Sequence, residues 1–211
     1  MHNLFFKTRR TVAVVAVVLS MFAISTHAAK ADDAMRAVLK QHVVPKIAEW
    51  SRHPVVLIAL KAQNKRHTGL SEDKIIEMDK MWRAERKEDV QPLIAQLFGS
   101  PLSTYLTRIQ ANSLGLYSEI FVMDNVGLNV GLSSVTSDYW QGDEGKWQKT
   151  YKVAPDAIFI DEPEFHKETG TQRVQINMTV SDPDTNKALG AITVEVNITE
   201  LSRRYAQAVI N

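Results

Sequence analysis

The chain has 211 residues, a formal net charge of +1 and no cysteine. Without cysteine there is no disulfide, no thiolate chemistry, no cysteine-ligated zinc and no CxxCH haem attachment. The near-neutral charge carries no basic stripe of the sort that grips nucleic-acid phosphates.

The first element is an export signal. Lys7, Arg9 and Arg10 form a positive start, Val12 to Ile24 is apolar except for Ser20, and small residues follow up to Asp32. That is the layout of a cleaved secretory signal, with cleavage after Ala28 or Ala31. The apolar run is short for a spanning helix, which needs ~20 residues. Removal of residues 1–31 takes away Lys7, Arg9, Arg10 and Lys30 and no acid, turning +1 into −3. The mature product, residues 32–211, is expected to be one exported domain, periplasmic or secreted, and not membrane-spanning. It is long enough to bury about 70 per cent of its unfolded surface.

From Asp33 to about Arg66 apolar residues recur at helical spacing: Val38, Val43 with Val44, Ile47, Trp50, Val55, Ile58 and Ala62. Pro45 and Pro54 lie inside, where proline removes an N–H and clashes with the preceding turn. The reading is one long kinked helix, or two end to end, reaching ~50 Å. Ser71 then offers an N-cap, with Glu72 and Asp73 in the first turn, where acids suit the helix dipole. Ile75, Met78, Met81 and Trp82 trace an apolar stripe, "KMWRAERKEDV" reads as a solvated face, and short helices follow, broken at Gly99–Pro101.

The period then changes. Leu116, Ser118, Ile120 and Val122 alternate with Tyr117, Glu119, Phe121 and Met123; "DNVG" makes a turn; Asn129 to Thr136 resumes as strand. Gln172 to Ser181 alternates, with Val174, Ile176, Met178 and Val180 on one face. After the turn "DPDTNK", Ala191 to Thr199 places Ile192, Val194, Val196 and Ile198 inward. Two-residue alternation marks half-buried strands. Helices over residues 32–114 and strands over 115–200 predict an α+β domain with an antiparallel sheet.

One segment stands apart. Ser137 to Tyr151, "SDYWQGDEGKWQKTY", holds two tryptophans, two tyrosines, three acids and two lysines. Its candidate ligand-binding residues are Asp138, Tyr139, Trp140, Asp143, Lys146, Trp147 and Tyr151. Aromatic rings can wall a pocket while a few charges fix a ligand's orientation. Lys146 or Lys149 would meet an anionic group, and Asp138 or Asp143 an amine or hydroxyl. The same rings would serve equally as a lid that caps the core.

Other chemistry finds little footing. "DPDTN" starts like a calcium loop, but Lys187 and Thr193 stand where an EF-hand needs glycine and glutamate. His42, His53, His67 and His166 are scattered without metal-binding spacing. No G-x-S-x-G, P-loop or Rossmann glycine pattern occurs. Asp161, Glu162 and Glu164 read as a loop at a strand edge. Asn177-Met178-Thr179 and Asn197-Ile198-Thr199 match the glycosylation pattern but fall in predicted strands. The expectation is a non-enzyme without metal or cofactor.

Taken in order, a long N-terminal helix, "IFVMDNVGLNVGLSSVTSDYW", a charged aromatic segment and a closing hairpin ending "ALGAITVEVNI" resemble the extracellular Cache sensor domains. These are also called PDC domains, a PAS-like group, and the resemblance spans roughly residues 35–200. It implies a five- or six-stranded antiparallel sheet with the long helix along one face. On the other face it implies a small-molecule pocket, covered by the segment between the second and third strands. In amino-acid-binding relatives a tyrosine is followed by an arginine–aromatic pair that grips a carboxylate. Here Tyr139 is followed by Lys146–Trp147 and then Tyr151, so a point charge replaces a planar fork. The function implied is an exported sensor module for a small anionic metabolite. It would act through a separate membrane receptor or kinase, with pairing of two copies through the N-terminal helix. The alternative is an interaction protein of the cell envelope that binds no ligand.

Overall fold

The computed structural model describes the backbone of residues 32–210 and the side chains of residues 32–205; the export signal expected over residues 1–31 lies outside the described residues. The chain opens with three helices in series: α1 (32–42), α2 (Val44–Ser51) and α3 (Pro54–Arg66). The breaks fall at Val43 and at Arg52–His53, just ahead of the two prolines. Pro45 is the second residue of α2 and Pro54 the first of α3, both in the first turn, where a missing N–H costs nothing. Helices α4 (Glu72–Glu85), α5 (Pro92–Phe98) and α6 (Pro101–Asn112) follow. Ser71 and Ser100 cap α4 and α6 by accepting from Lys74 N and Ser103 N. Both carboxylate oxygens of Glu85 accept the first free amides of α5, those of Leu93 and Ile94.

The sheet has six strands: β1 (Tyr117–Met123), β2 (Asn129–Leu132), β3 (Ile158–Ile160), β4 (Glu164–His166), β5 (Thr171–Ser181) and β6 (Ala188–Asn197). Every pairing is antiparallel, in the order β2-β1-β6-β5-β3, with β4 also on β5. This is the PAS-like α+β architecture that the resemblance implies. Alternation builds two cores, one on each face. Ile120, Val122, Val174, Ile176, Val180, Ile192 and Val194 pack with Val38, Leu39, Val43, Ile47, Val56 and Leu60 of the first three helices. Phe121, Met123 and Ala191 face the other way, toward Trp82, Tyr139 and Trp147. A short helix, α7 (Gly145–Gln148), lies in the segment between β2 and β3, and α8 (Ile198–Ile210) closes the chain.

Four local expectations are corrected. Beyond Pro54 the buried face is Val56, Leu60 and Gln63, whereas Ile58 is 67% exposed and Ala62 is exposed as well. The break at Arg52–His53 resets the phase of the helix. Met81 is likewise exposed on α4. Strand β2 ends at Leu132, not Thr136, because the Ser133 hydroxyl accepts from Ile120 N and takes the place of a strand carbonyl. Strand β6 ends at Asn197, whose side chain accepts from Glu200 N and so opens α8; Ile198 reaches the core from that helix. Among the described residues no helix is long and apolar enough to cross a membrane.

Candidate functional site

The segment between β2 and β3 lies against the sheet face opposite the N-terminal helices. Its first part is tied down by backbone. Asn129 N donates to Tyr139 O, Gln141 N donates to Gly127 O, and Leu128 bridges Trp140. The Asp79 carboxylate of α4 accepts from both Tyr139 N and Trp140 N, at 2.9 and 3.0 Å. Tyr139 is buried and stacked on Trp82 at 5.3 Å between ring centroids. The Trp140 indole donates to Val126 O at 2.8 Å and closes over the β1–β2 turn. Gly127 there has φ +88°, and a side chain on Gly142 would meet that indole.

One carboxylate organises this end of the fold. The Asp124 side chain, fully buried, accepts from Val126 N and Leu128 N inside its own turn. It also accepts from Gln63 Nε2 at 2.9 Å and lies 2.7 Å from His67 Nδ1, both on α3. Its backbone carbonyl accepts from Trp147 Nε1 at 3.1 Å. Helix α3, the β1–β2 turn and the lid thus meet on a single residue.

The seven residues singled out in the sequence separate here. Trp147 is buried, stacked on Tyr151 at 5.0 Å. Asp138 pairs with Arg83 at 3.1 Å, and Asp143 is exposed. Lys146 pairs with Glu144 at 2.8 Å, donates to Gln141 Oε1 at 3.0 Å and stands over the Phe121 ring. Tyr139, Trp140, Trp147 and Tyr151 all belong to the second core or pack against it. Of the seven, only Lys146 lines the cleft on this face.

That cleft has a volume of about 200 Å³. Lys146 and Glu144 come from the lid, Asp161, Glu162 and Glu164 from the β3–β4 edge, and Arg173, Gln175 and Glu195 from β5 and β6. Arg173 pairs with Glu195 at 2.8 Å, and Glu162 with Arg36 at 2.9 Å. Glu119 of β1 sits opposite Glu195 in the strand register. Burial, reinforced by the Glu195 charge, pushes the Glu119 carboxyl up to about 7, against the pull of Lys146, Arg173 and Arg86. The cleft therefore offers cations and carboxylates, with Glu119 behind its Glu195, Lys146 and Arg173 as a carboxyl that titrates near neutral pH.

Arg173, Gln175, Glu119 and Glu195 were not foreseen as site residues. In the sequence they occupy the polar phase of an alternating strand, which reads as solvent-facing. The signal that marks them is register: two glutamates opposite one another with an arginine two positions along the neighbouring strand. The scattered histidines have local partners instead. His42 stacks on Tyr205, His53 caps α3 and stacks on Tyr105, His67 meets Asp124, and His166 bonds Thr169. Among the described residues no group of three or more His, Asp or Glu side chains is placed to hold a metal ion.

No family model matches the sequence, and no curated protein matches it. Solved structures with similarity are extracellular sensor and ligand-binding domains. The extracellular domain of vpHK1S-Z8 is 13% identical with a TM-score of 0.46, over 89% of this chain and 62% of that one. The sensor domain of the V. cholerae histidine kinase DctB is 11% identical with a TM-score of 0.36, over 90% and 60%. The ligand-binding domain of the Pseudomonas fluorescens chemoreceptor CtaA, in complex with L-serine, is 10% identical with a TM-score of 0.37, over 62% and 61%. This chain thus spans about three fifths of the length of each.

Proposed function

We propose that the protein is an exported small-molecule sensor module whose ligand occupies the cleft beneath the lid segment. The observation that carries this reading is the mixed charge of the cleft: Lys146 and Arg173 line it together with Glu144, Asp161, Glu162, Glu164 and Glu195. Ligand sites fix orientation with a few placed charges. The two cations serve the anionic group of the ligand, each exchanging its present carboxylate partner for the incoming one. The lining carries more acids than bases, so a simple dianion would be repelled. A small metabolite with one carboxylate and an amine or hydroxyl balances the site.

Export would leave the chain outside the membrane, so output passes to a separate membrane receptor or kinase, and two copies pair through the N-terminal helices. Ligand shifts the equilibrium of the lid only by its differential affinity for the two states. The test is a thermal-shift panel of amino acids, hydroxy acids, dicarboxylates and amines. Lys146→Ala and Arg173→Ala should each remove the shift given by a carboxylate ligand while the fold survives. Absence of any shift across the panel would overturn the reading.

A second reading has one observation in its favour. Tyr139 and Trp147 are only 4% and 5% exposed, so the aromatic rings serve the core. An envelope interaction protein without a ligand would need them for nothing else.

A further inference from the structure

We infer that the groove between α3 and helices α4 to α6 is a second ligand site, shaped for a small molecule with an apolar chain and a single carboxylate. It is separate from the lid cleft and shares no lining residue with it. Its volume is about 410 Å³, within the ~300–1,000 Å³ usual for ligand pockets.

The walls are apolar on both sides. Val55, Ile58 and Ala62 of α3 face Met78, Leu93 and Leu97 of α4 and α5 across the gap. The α3 residues are the stripe that helical periodicity marks as core. The fold buries Val56 and Leu60 instead and leaves this stripe uncovered, with Ile58 67% exposed at the lip. An aliphatic side chain of that size left open to water costs free energy in proportion to its area. A bound apolar chain recovers it. The short side chains of Ala59 and Ala62 hold the gap open where larger ones would fill it.

One end of the groove is polar and offers donors. The ion pairs among the described residues leave Arg66 out. Tyr139 also lines the groove, close enough to Arg66 to feel its charge; its ring is buried, and its hydroxyl is bonded to none of the described residues. Burial and the nearby Asp124 charge push that hydroxyl further up from its ordinary value, so it stays a donor at any physiological pH. Gln63 Nε2 already donates to Asp124 and to Asn129 O. His67 Nδ1 is held by Asp124, which leaves Nε2 for a ligand. Asp124 accepts from three N–H groups besides its contact with His67, so its oxygens are engaged within the fold. A guanidinium and a phenol at the end of an apolar trough fit a carboxylate head with its chain laid between α3 and α5.

Titration calorimetry and melting of the purified protein with octanoate test this, with octanol and butyrate as controls. Octanoate should bind saturably and raise the melting temperature, with octanol and butyrate each much weaker. Arg66→Gln, an exposed position whose loss leaves the fold alone, should weaken octanoate at least roughly tenfold, the scale of one charge-assisted contact. Ala62→Phe should fill the trough and abolish binding. Lys146→Ala should leave octanoate binding unchanged, which separates this site from the lid cleft. No saturable binding of octanoate, octanol binding as tightly as octanoate, or an Arg66→Gln protein with unaltered affinity would each overturn the inference.

Discussion

Replacing Glu119 by glutamine should stabilise the protein at alkaline pH and change little at acidic pH. Glu119 is half-buried on β1 opposite Glu195, and its carboxyl is raised from 4.5 to about 7. In the unfolded chain the same group titrates near its ordinary value, so folding takes up a proton between the two. The stability that the protonated carboxyl contributes is fully present below about pH 4.5 and is lost as pH rises through about 7. A rise from 4.5 to about 7 corresponds to about 3 kcal/mol, at about 1.4 kcal/mol per unit. Glutamine keeps the shape of the protonated acid and cannot ionise. Urea unfolding of the two proteins should therefore differ by less than about 1 kcal/mol near pH 5 and by about 3 kcal/mol near pH 8, with Glu119→Gln the more stable. An equal gap at both pH values would refute the reasoning, because it would make the effect one of shape rather than charge. A wild type that outlasts the variant near pH 8 would refute it more directly, by showing that Lys146 and Arg173 hold the ionised form.

Asp124→Ala should cost about 3–5 kcal/mol, since it strands Gln63, His67 and two turn amides at a buried position; chemical denaturation gives the number, and a loss under about 1 kcal/mol would remove Asp124 from its central role. Trp147→Ala should cost about 3–5 kcal/mol as a large core truncation; a variant as stable as wild type would mean that the ring is held for a ligand and not for packing.

Much of the fold is legible in the sequence because its signals are local. Two-residue alternation in Val174 to Val180 and Ile192 to Val196 fixes which face is buried, and the structure buries those residues together. The two prolines mark where the long helical stretch breaks, with α2 starting one residue before Pro45 and α3 at Pro54. Errors fall where a local signal meets a non-local partner. Val55, Ile58 and Ala62 carry the right spacing, yet spacing cannot say how a helix restarts after His53. Thr136 carries strand propensity, but the Ser133 hydroxyl competes for the ladder at Ile120. Ile198 continues an alternation that the Asn197 cap ends. Short β3 and β4, three residues each, carry too little pattern to be seen.

The cleft is harder to read, because its charged groups come from the lid, the β3–β4 edge and strands β1, β5 and β6, and each stretch alone looks like solvated surface. The aromatic density of Ser137 to Tyr151 draws attention to the lid, and the rings prove to be the part that packs. What argues for a site is a cost. Like charges directly opposite on neighbouring strands are destabilising, and Glu119 and Glu195 are such a pair. Any neutral residue at position 119 would relieve them without disturbing the ladder, since the backbone makes the pairing. The chain instead carries both carboxylates with Lys146 and Arg173 near them, and of the two Glu195 lines an opening about 200 Å³ in volume. On the proposed reading, this avoidable electrostatic cost beside an open cleft serves binding rather than stability, since carboxyls perturbed by such charge pairs cluster at functional sites.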